Sequence, residues 1–345
     1  MTHKTTLLIV LSLLGSHITN AQQPCTAERK SPQAEIITIA QPGPISPSVS
    51  LPLVIAQEHG LFAKYGLEAR LIGAFPGAAR LIGKEAEFGY FGSAAILLAI
   101  TEHGTDLRIL SAVNNGRISF HLVTKPEIRK PEHLRGKRFG VFSIGTGIWV
   151  ATIQVLEQLG LDPVRDNITF LAIGNVTQVA KALEDGRIDA GMLNPVQSIQ
   201  MKSKGFSVLL DTSSYDLYGA QSLPVTTGAY LQQRPDVVEK FSSALVEATA
   251  FSLAPRNKPA VLKTIMRTFN ITDMAAAERG YQDLNNLYRK PYPKIESLKS
   301  VQKIMALHDP RVLNLKVEDL IDDRFVRKFD ESGLIDRLYS SYGLQ

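Results

Sequence analysis

Leu51-Pro-Leu-Val-Ile-Ala-Gln-Glu-His-Gly-Leu-Phe-Ala-Lys-Tyr-Gly-Leu-Glu-Ala-Arg70 places a helix, a glycine stop and a new strand in succession. Residues three and four apart share a helical face, and proline is at home in a first turn. Leu53, Ala56 and Gln57 therefore fall on one side of a helix begun by Pro52. Gly60 ends that helix, Leu61 and Phe62 dock the next turn, and Gly66 releases the chain into an extended run over 67–72. One such junction fits any protein that alternates helices and strands, so the rest of the chain decides.

From Glu35 short β-rich runs alternate with helical patterns, which predicts an α/β fold. Strands are expected at 36–40, 68–72, 88–91, 108–112, 120–123, 137–142, 169–172, 189–193 and 226–229. Ile148, Ala151, Val155, Leu156 and Leu159 repeat at helical spacing until Gly160 and Asp162-Pro163 end the pattern. Val176, Val179, Ala180 and Leu183 form a second stripe stopped by Gly186. Beyond residue 232 the pattern turns helical, through 235–253, 259–269, 273–288, 295–307 and 322–339. Crossings between two sheets are expected at 120–124 and within 211–227.

The ends bound the cellular context. Lys4, an apolar run over 7–14, then Gly15 and Ser16 and finally Thr19-Asn-Ala21 read as a secretory signal cut after Ala21. The apolar run is too short to span a bilayer, and no later segment reaches the roughly 20 apolar residues a span needs. The mature protein is expected to be soluble and periplasmic. Cys25 is the single cysteine, which excludes an intramolecular disulfide. Gln22-Gln23-Pro24 lack the small residues of a lipoprotein cleavage site, so Cys25 reads as a free thiol without a lipid anchor.

At 345 residues, 44% apolar and 21% charged, the chain has the composition of a folded protein large enough for two lobes. The formal charge of +5 falls by one when Lys4 leaves with the signal, and the remaining excess is dispersed. Basic residues do not cluster with aromatics on one element, which argues against nucleic acid as a partner.

The opening stretch is joined by Leu134-Arg-Gly-Lys-Arg-Phe-Gly-Val141, Leu156-Glu-Gln-Leu-Gly-Leu-Asp-Pro163, Ala182-Leu-Glu-Asp-Gly-Arg-Ile-Asp-Ala190, Val317-Glu-Asp-Leu-Ile-Asp-Asp-Arg-Phe-Val-Arg327 and Ser332-Gly-Leu-Ile335. Over nearly the whole mature chain these resemble the nitrate, taurine and sulfonate-type (SsuA/TauA-like) solute-binding proteins of ABC importers. The resemblance implies a type II periplasmic-binding-protein fold: two α/β lobes joined by two hinge crossings, with a helical C-terminal region. Residues 22–121 with 225–345 would form lobe 1, and 122–224 lobe 2. It further implies a monomer that binds a small molecule between its lobes and delivers it to an ABC permease in the inner membrane, with no cofactor. The loop Gln41-Pro-Gly-Pro-Ile-Ser-Pro-Ser-Val-Ser50 is longer and richer in proline than the family's, and Glu85-Ala-Glu87 replaces the common Gly-x-x-Asp. Ligand identity is not carried over through such changes.

Catalytic patterns fare poorly. Among His59, His103, His121, His133 and His308 no pair is spaced for a shared metal, so no metal site is expected. There is no G-x-S-x-G elbow, and the carboxylates read as solvated surface charge. An enzyme on the same fold acting on a pyrimidine-like precursor would need a reactive lysine or a histidine and cysteine cluster, and the cluster is missing. A solute-sensing subunit is the other alternative. Gly145-Thr-Gly147 follows a strand and opens a helix, but Val150 stands where a dinucleotide motif has its third glycine. What remains is an anion-friendly helix start at Ser143, Gly145, Thr146 and Gly147. Gly92, Ser93 and Ala94, and Asn194 before Pro195, occupy similar strand-to-helix junctions. Ser46 and Ser48 in the first loop and Asn114, Asn115 and Asn175 add polar contacts, and Trp149, beside the apolar stripe, offers an indole face to a solute.

Overall fold

A computed structural model describes residues 34–41, 45–73, 82–117, 120–215, 217–218 and 221–345. The expected signal at 1–21, Cys25 and residues 42–44 of the proline-rich loop lie outside the described residues. Among the described residues ten strands run in chain order as Glu35–Gln41 (β1), Leu67–Gly73 (β2), Phe88–Phe91 (β3), Leu107–Ile109 (β4), His121–Thr124 (β5), Arg138–Val141 (β6), Thr169–Ala172 (β7), Ala190–Leu193 (β8), Ser207–Asp211 (β9) and Leu223–Thr227 (β10). They build two five-stranded sheets, ordered β2-β1-β3-β10-β4 and β7-β6-β8-β5-β9. In the first, β1 is parallel to β2 and β3, and β10 runs antiparallel between β3 and β4. In the second, β6 is parallel to β7 and β8, while β5 runs antiparallel between β8 and β9. The chain thus crosses from one sheet to the other between β4 and β5, and returns between β9 and β10.

The helices are Pro47–Glu58 (α1), Leu61–Lys64 (α2), Ser93–His103 (α3), Gly147–Gln158 (α4), Val176–Glu184 (α5), Pro195–Ser203 (α6), Gly228–Gln233 (α7), Pro235–Leu253 (α8), Lys258–Thr268 (α9), Met274–Gln282 (α10), Ile295–Met305 (α11), Arg324–Glu331 (α12) and Leu334–Ser341 (α13). The helical C-terminal region is present. None of the described helices is long and apolar enough to cross a membrane.

Several expectations about elements needed correction. α1 begins at Pro47, and Pro52 lies inside it rather than at its start. Proline has no N–H to give to the carbonyl four residues back, so the carbonyl of Ser48 loses its helical donor. The expected helix over 322–339 is two helices, because Gly333 at φ 69° turns the chain between α12 and α13. The pattern over 273–288 likewise ends as helix at Gln282 and continues as a 3-10 turn, Asp283–Asn286. β10 starts three residues early and stops at Thr227, whose side chain caps α7. β9 was not anticipated at all.

In the first lobe, α1 packs on α8 against the sheet, and Phe88 of β3 stacks on Phe241 of α8 with ring centroids 4.0 Å apart. Each such side chain, fully buried, contributes about 1.5–3 kcal/mol. Two apolar clusters join the lobes. Trp149, Val150 and Ile153 of α4 lie in one cluster with Leu97 of α3 and Val301 and Met305 of α11. Val49 of α1 lies in another with Phe120, Leu122 and Leu217, which flank the crossings or belong to them.

Candidate functional site

The first turn of α1 is gripped from three directions. The N–H of Ser48 donates to Asp283 Oδ2 at 2.8 Å, and its orphaned carbonyl accepts from Asn114 Nδ2 at 3.1 Å. The hydroxyl of Ser222 donates to the Val49 carbonyl at 2.9 Å. Asn114 is wholly buried, and its Oδ1 accepts from the N–H groups of Gly116 at 3.3 Å and Ser222 at 3.2 Å. Gln221 Nε2 adds a bond to the Asn114 carbonyl at 3.4 Å. Asn115 bonds Asn286 and accepts from the Arg117 N–H. The Ser46 hydroxyl lies 3.5 Å from that of Ser48. Nearby Tyr90 is buried, which pushes its phenol up from the usual range, and its hydroxyl lies by that of Ser222 without completing a hydrogen bond.

The two crossings are laced together as well. Val113 N–H donates to the Ser222 carbonyl at 2.9 Å and Thr212 N–H to the Phe120 carbonyl at 2.8 Å, while the Thr212 hydroxyl oxygen takes the Phe120 N–H at 3.1 Å.

The starts of α3 and α4, like those of seven other described helices, lack side-chain caps, whereas α5, α6, α7 and α10 are capped. α3 follows Gly92, and α4 follows Thr146, whose hydroxyl donates to the Ser143 carbonyl at 2.7 Å instead of capping. Ser93 and Ala94 are buried, so the first N–H groups of α3 meet little water. A helix start carries free N–H donors and the positive end of the helix dipole, which together attract an anion. α3 and α4 pack against each other across the lobes. The loop before α4 approaches lobe 1 closely: a Cβ on Gly145, at φ 78°, would lie 3.1 Å from the His308 ring and 3.2 Å from Leu98. Trp149, 4% exposed, packs edge-on to Phe170 and His308, and among the described residues its indole N–H finds no acceptor.

Asn175 and Asn194 are committed differently. Asn175 forms a reciprocal capping box with Gln178 at the start of α5, and Asn194 accepts from the Gln197 N–H at the start of α6. α5 and α6 start side by side, with Gln197 Nε2 bonded to the Thr177 hydroxyl at 3.1 Å. The fourteen sequence-derived positions thus fall into three groups: the α1 turn with the crossings, the starts of α3 and α4, and the capped starts of α5 and α6.

Asp283, Ser222 and His308 were missed. Each acts through a partner far away in sequence, and no local spacing advertises it. A serine, a histidine and an aspartate do meet at the second sheet, where His121 Nδ1 lies 2.7 Å from Ser198 Oγ and His121 Nε2 lies 3.7 Å from Asp211. Ser198 is only 1% exposed within α6, which leaves a substrate no path to its oxygen. Among the described residues no group of three His, Cys, Asp or Glu could hold a metal ion.

No curated protein matches the chain. Solved structures of the same fold do. The alkanesulfonate-binding protein SsuA from Xanthomonas axonopodis pv. citri bound to MOPS has a TM-score of 0.64 at 19% identity, over 85% of this chain and 99% of that one. The periplasmic aliphatic sulphonate binding protein SsuA from Escherichia coli has 0.63 at 20%, over 83% and 96%. The desulfurization enzyme DSZB has 0.61 at 17%, over 87% and 99%, so the fold also carries an enzyme. These likenesses establish the periplasmic-binding-protein fold. Residues 48–258, more than half of the 345, match the model described as NMT1/THI5 like, and the chain belongs to that family.

Proposed function

We propose that this protein is an exported, monomeric solute-binding protein, not an enzyme, that captures a small oxoanionic or organic anion between its lobes for an ABC permease. The observation that carries the reading is that α3 and α4, helices of opposite lobes that pack together, both open a strand-to-helix junction, after β3 and β6, with their first N–H groups left without a side-chain cap. Each start favours negative charge by about 0.3–1 kcal/mol when exposed and more when partly buried. Export by a signal cut after Ala21 rests on Lys4 and the apolar run over 7–14. A sulfonate is the simplest ligand class, since sulfonate-binding proteins share the fold.

The test is a thermal-shift screen of the mature protein against MOPS, short alkanesulfonates, carboxylates, neutral heterocycles and organic cations. A ligand that binds the folded state raises the midpoint by mass action. Stabilisation by sulfonates or other small anions is expected. Stabilisation by cations alone would overturn the reading, and turnover of a bound sulfonate or sulfinate would move the protein to the enzymes of this fold.

A further inference from the structure

We propose that Asn114 is a positioning residue for solute capture, holding the first turn of α1 to both crossings rather than touching the solute. The proposal rests on the solute-binding reading above. Three facts carry it. Pro52 strips the Ser48 carbonyl of its helical donor, and Asn114 Nδ2 supplies the replacement at 3.1 Å. The same amide accepts from Gly116 in the outgoing crossing and Ser222 at the end of the returning one. Asn114 is 0% exposed, so a solute has no access to these atoms.

One planar amide therefore fixes three chain segments that are remote in sequence. The turn it fixes bears Ser46 and Ser48 on the lobe 1 side, and it carries Val49 into the cluster with Phe120 and Leu217. A change in the angle between the lobes must pass through the crossings, and the amide ties that movement to the attitude of α1. Asn suits the position because it alone among residues of its size offers both a donor and an acceptor from one rigid group. Aspartate keeps the acceptors and turns the donor into a second acceptor facing the Ser48 carbonyl.

The experiment compares wild type, Asn114→Asp, Asn114→Ala, Pro52→Ala and the double variant Pro52→Ala/Asn114→Asp, using MOPS as the calorimetric probe at a temperature well below every melting midpoint. Asn114→Asp should weaken MOPS binding by about tenfold or more. Pro52→Ala returns an N–H to the Ser48 carbonyl, so the double variant should recover part of that affinity. Unchanged affinity in a folded but less stable Asn114→Asp would make the residue a purely structural brace and overturn the proposal. Lost affinity with no recovery in the double variant and unaltered amide exchange at Gly116 and Ser222 would mark a direct solute contact, and overturn it too. Amide exchange in the solute-free protein separates the two readings. If wild type binds no sulfonate or other anion, the proposed function fails. Faster exchange at Gly116 and Ser222 in Asn114→Ala would then still support the hub, and unchanged exchange would remove it.

Discussion

A Cβ on Gly116 would stand 2.6 Å from the carbonyl oxygen of Leu217, so the outgoing and returning crossings touch backbone to backbone at a point only glycine permits. The residue also sits at φ 80°, in the left-handed region. Both facts penalise any side chain, and backbone on the far side cannot swing away as a flexible side chain would. Gly116→Ala is expected to lower stability by about 1–3 kcal/mol in urea unfolding. Proteolysis within the crossings should accelerate in the same variant. A stability equal to wild type would mean the crossings are not pressed together in solution.

Trp149 provides a second check, through light. Its ring is buried between Phe170, behind it on the second sheet, and His308, reached from the first lobe. The unliganded protein should emit at short wavelength and resist acrylamide quenching. Trp149→Ala should cost about 3–5 kcal/mol, as large-to-small changes in packed sites do, with Trp149→Phe costing clearly less. The size of the alanine loss follows from burial in a cluster shared by both lobes. Emission and quenching typical of a solvated indole would contradict that packing.

Asn175 and Asn194 read in the sequence as solute contacts, yet their side-chain oxygens are already bonded to helix N–H groups. Alanine at either position should cost about 1 kcal/mol, the usual worth of an N-cap. MOPS affinity should stay at the wild-type value. A selective loss of affinity in either variant would show that the cap opens to the ligand.

What was legible followed from local chemistry. Glycine stops at Gly60, Gly66, Gly160 and Gly186 marked real element ends, and the apolar repeat through Val155 and Leu156 gave α4 to within a residue. β9 escaped because it is an edge strand with half-exposed residues on both faces, so Ser207–Asp211 carries no strict alternation. Pro52 misled because proline usually marks a helix start, and only the long-range bond from Asn114 reveals how an interior proline is tolerated. Of the site, small residues at strand ends could be read directly. The commitments of Asn114, Asn175 and Thr146 to backbone partners could not, since a side chain's free valence depends on neighbours the sequence does not name.

Glu247 yields a prediction about acid. It lies in the middle of α8 with 2% of its side chain exposed, and accepts from Lys64 Nζ at 2.6 and 2.7 Å, from the Tyr65 hydroxyl at 2.8 Å and from the Tyr342 hydroxyl at 2.7 Å. Burial alone would favour its neutral form. The bonds from Lys64, Tyr342 and Tyr65 outweigh burial and hold the carboxyl below the usual glutamate range. A carboxyl whose folded pKa is depressed adds stability above its unfolded pKa of about 4.3, and loses it as the pH falls through the folded value. Glu247→Gln should therefore cost about 1–3 kcal/mol at neutral pH, by weakening bonds to a buried acceptor. The gap to wild type should narrow as the pH drops from about 5 to about 3, because wild type then loses what the variant never had. Urea unfolding at a series of pH values measures both limbs. A gap that stays constant through the acid range would mean that Glu247 is already protonated in the folded protein, and that the tie from α8 to the C-terminal Tyr342 is a neutral one.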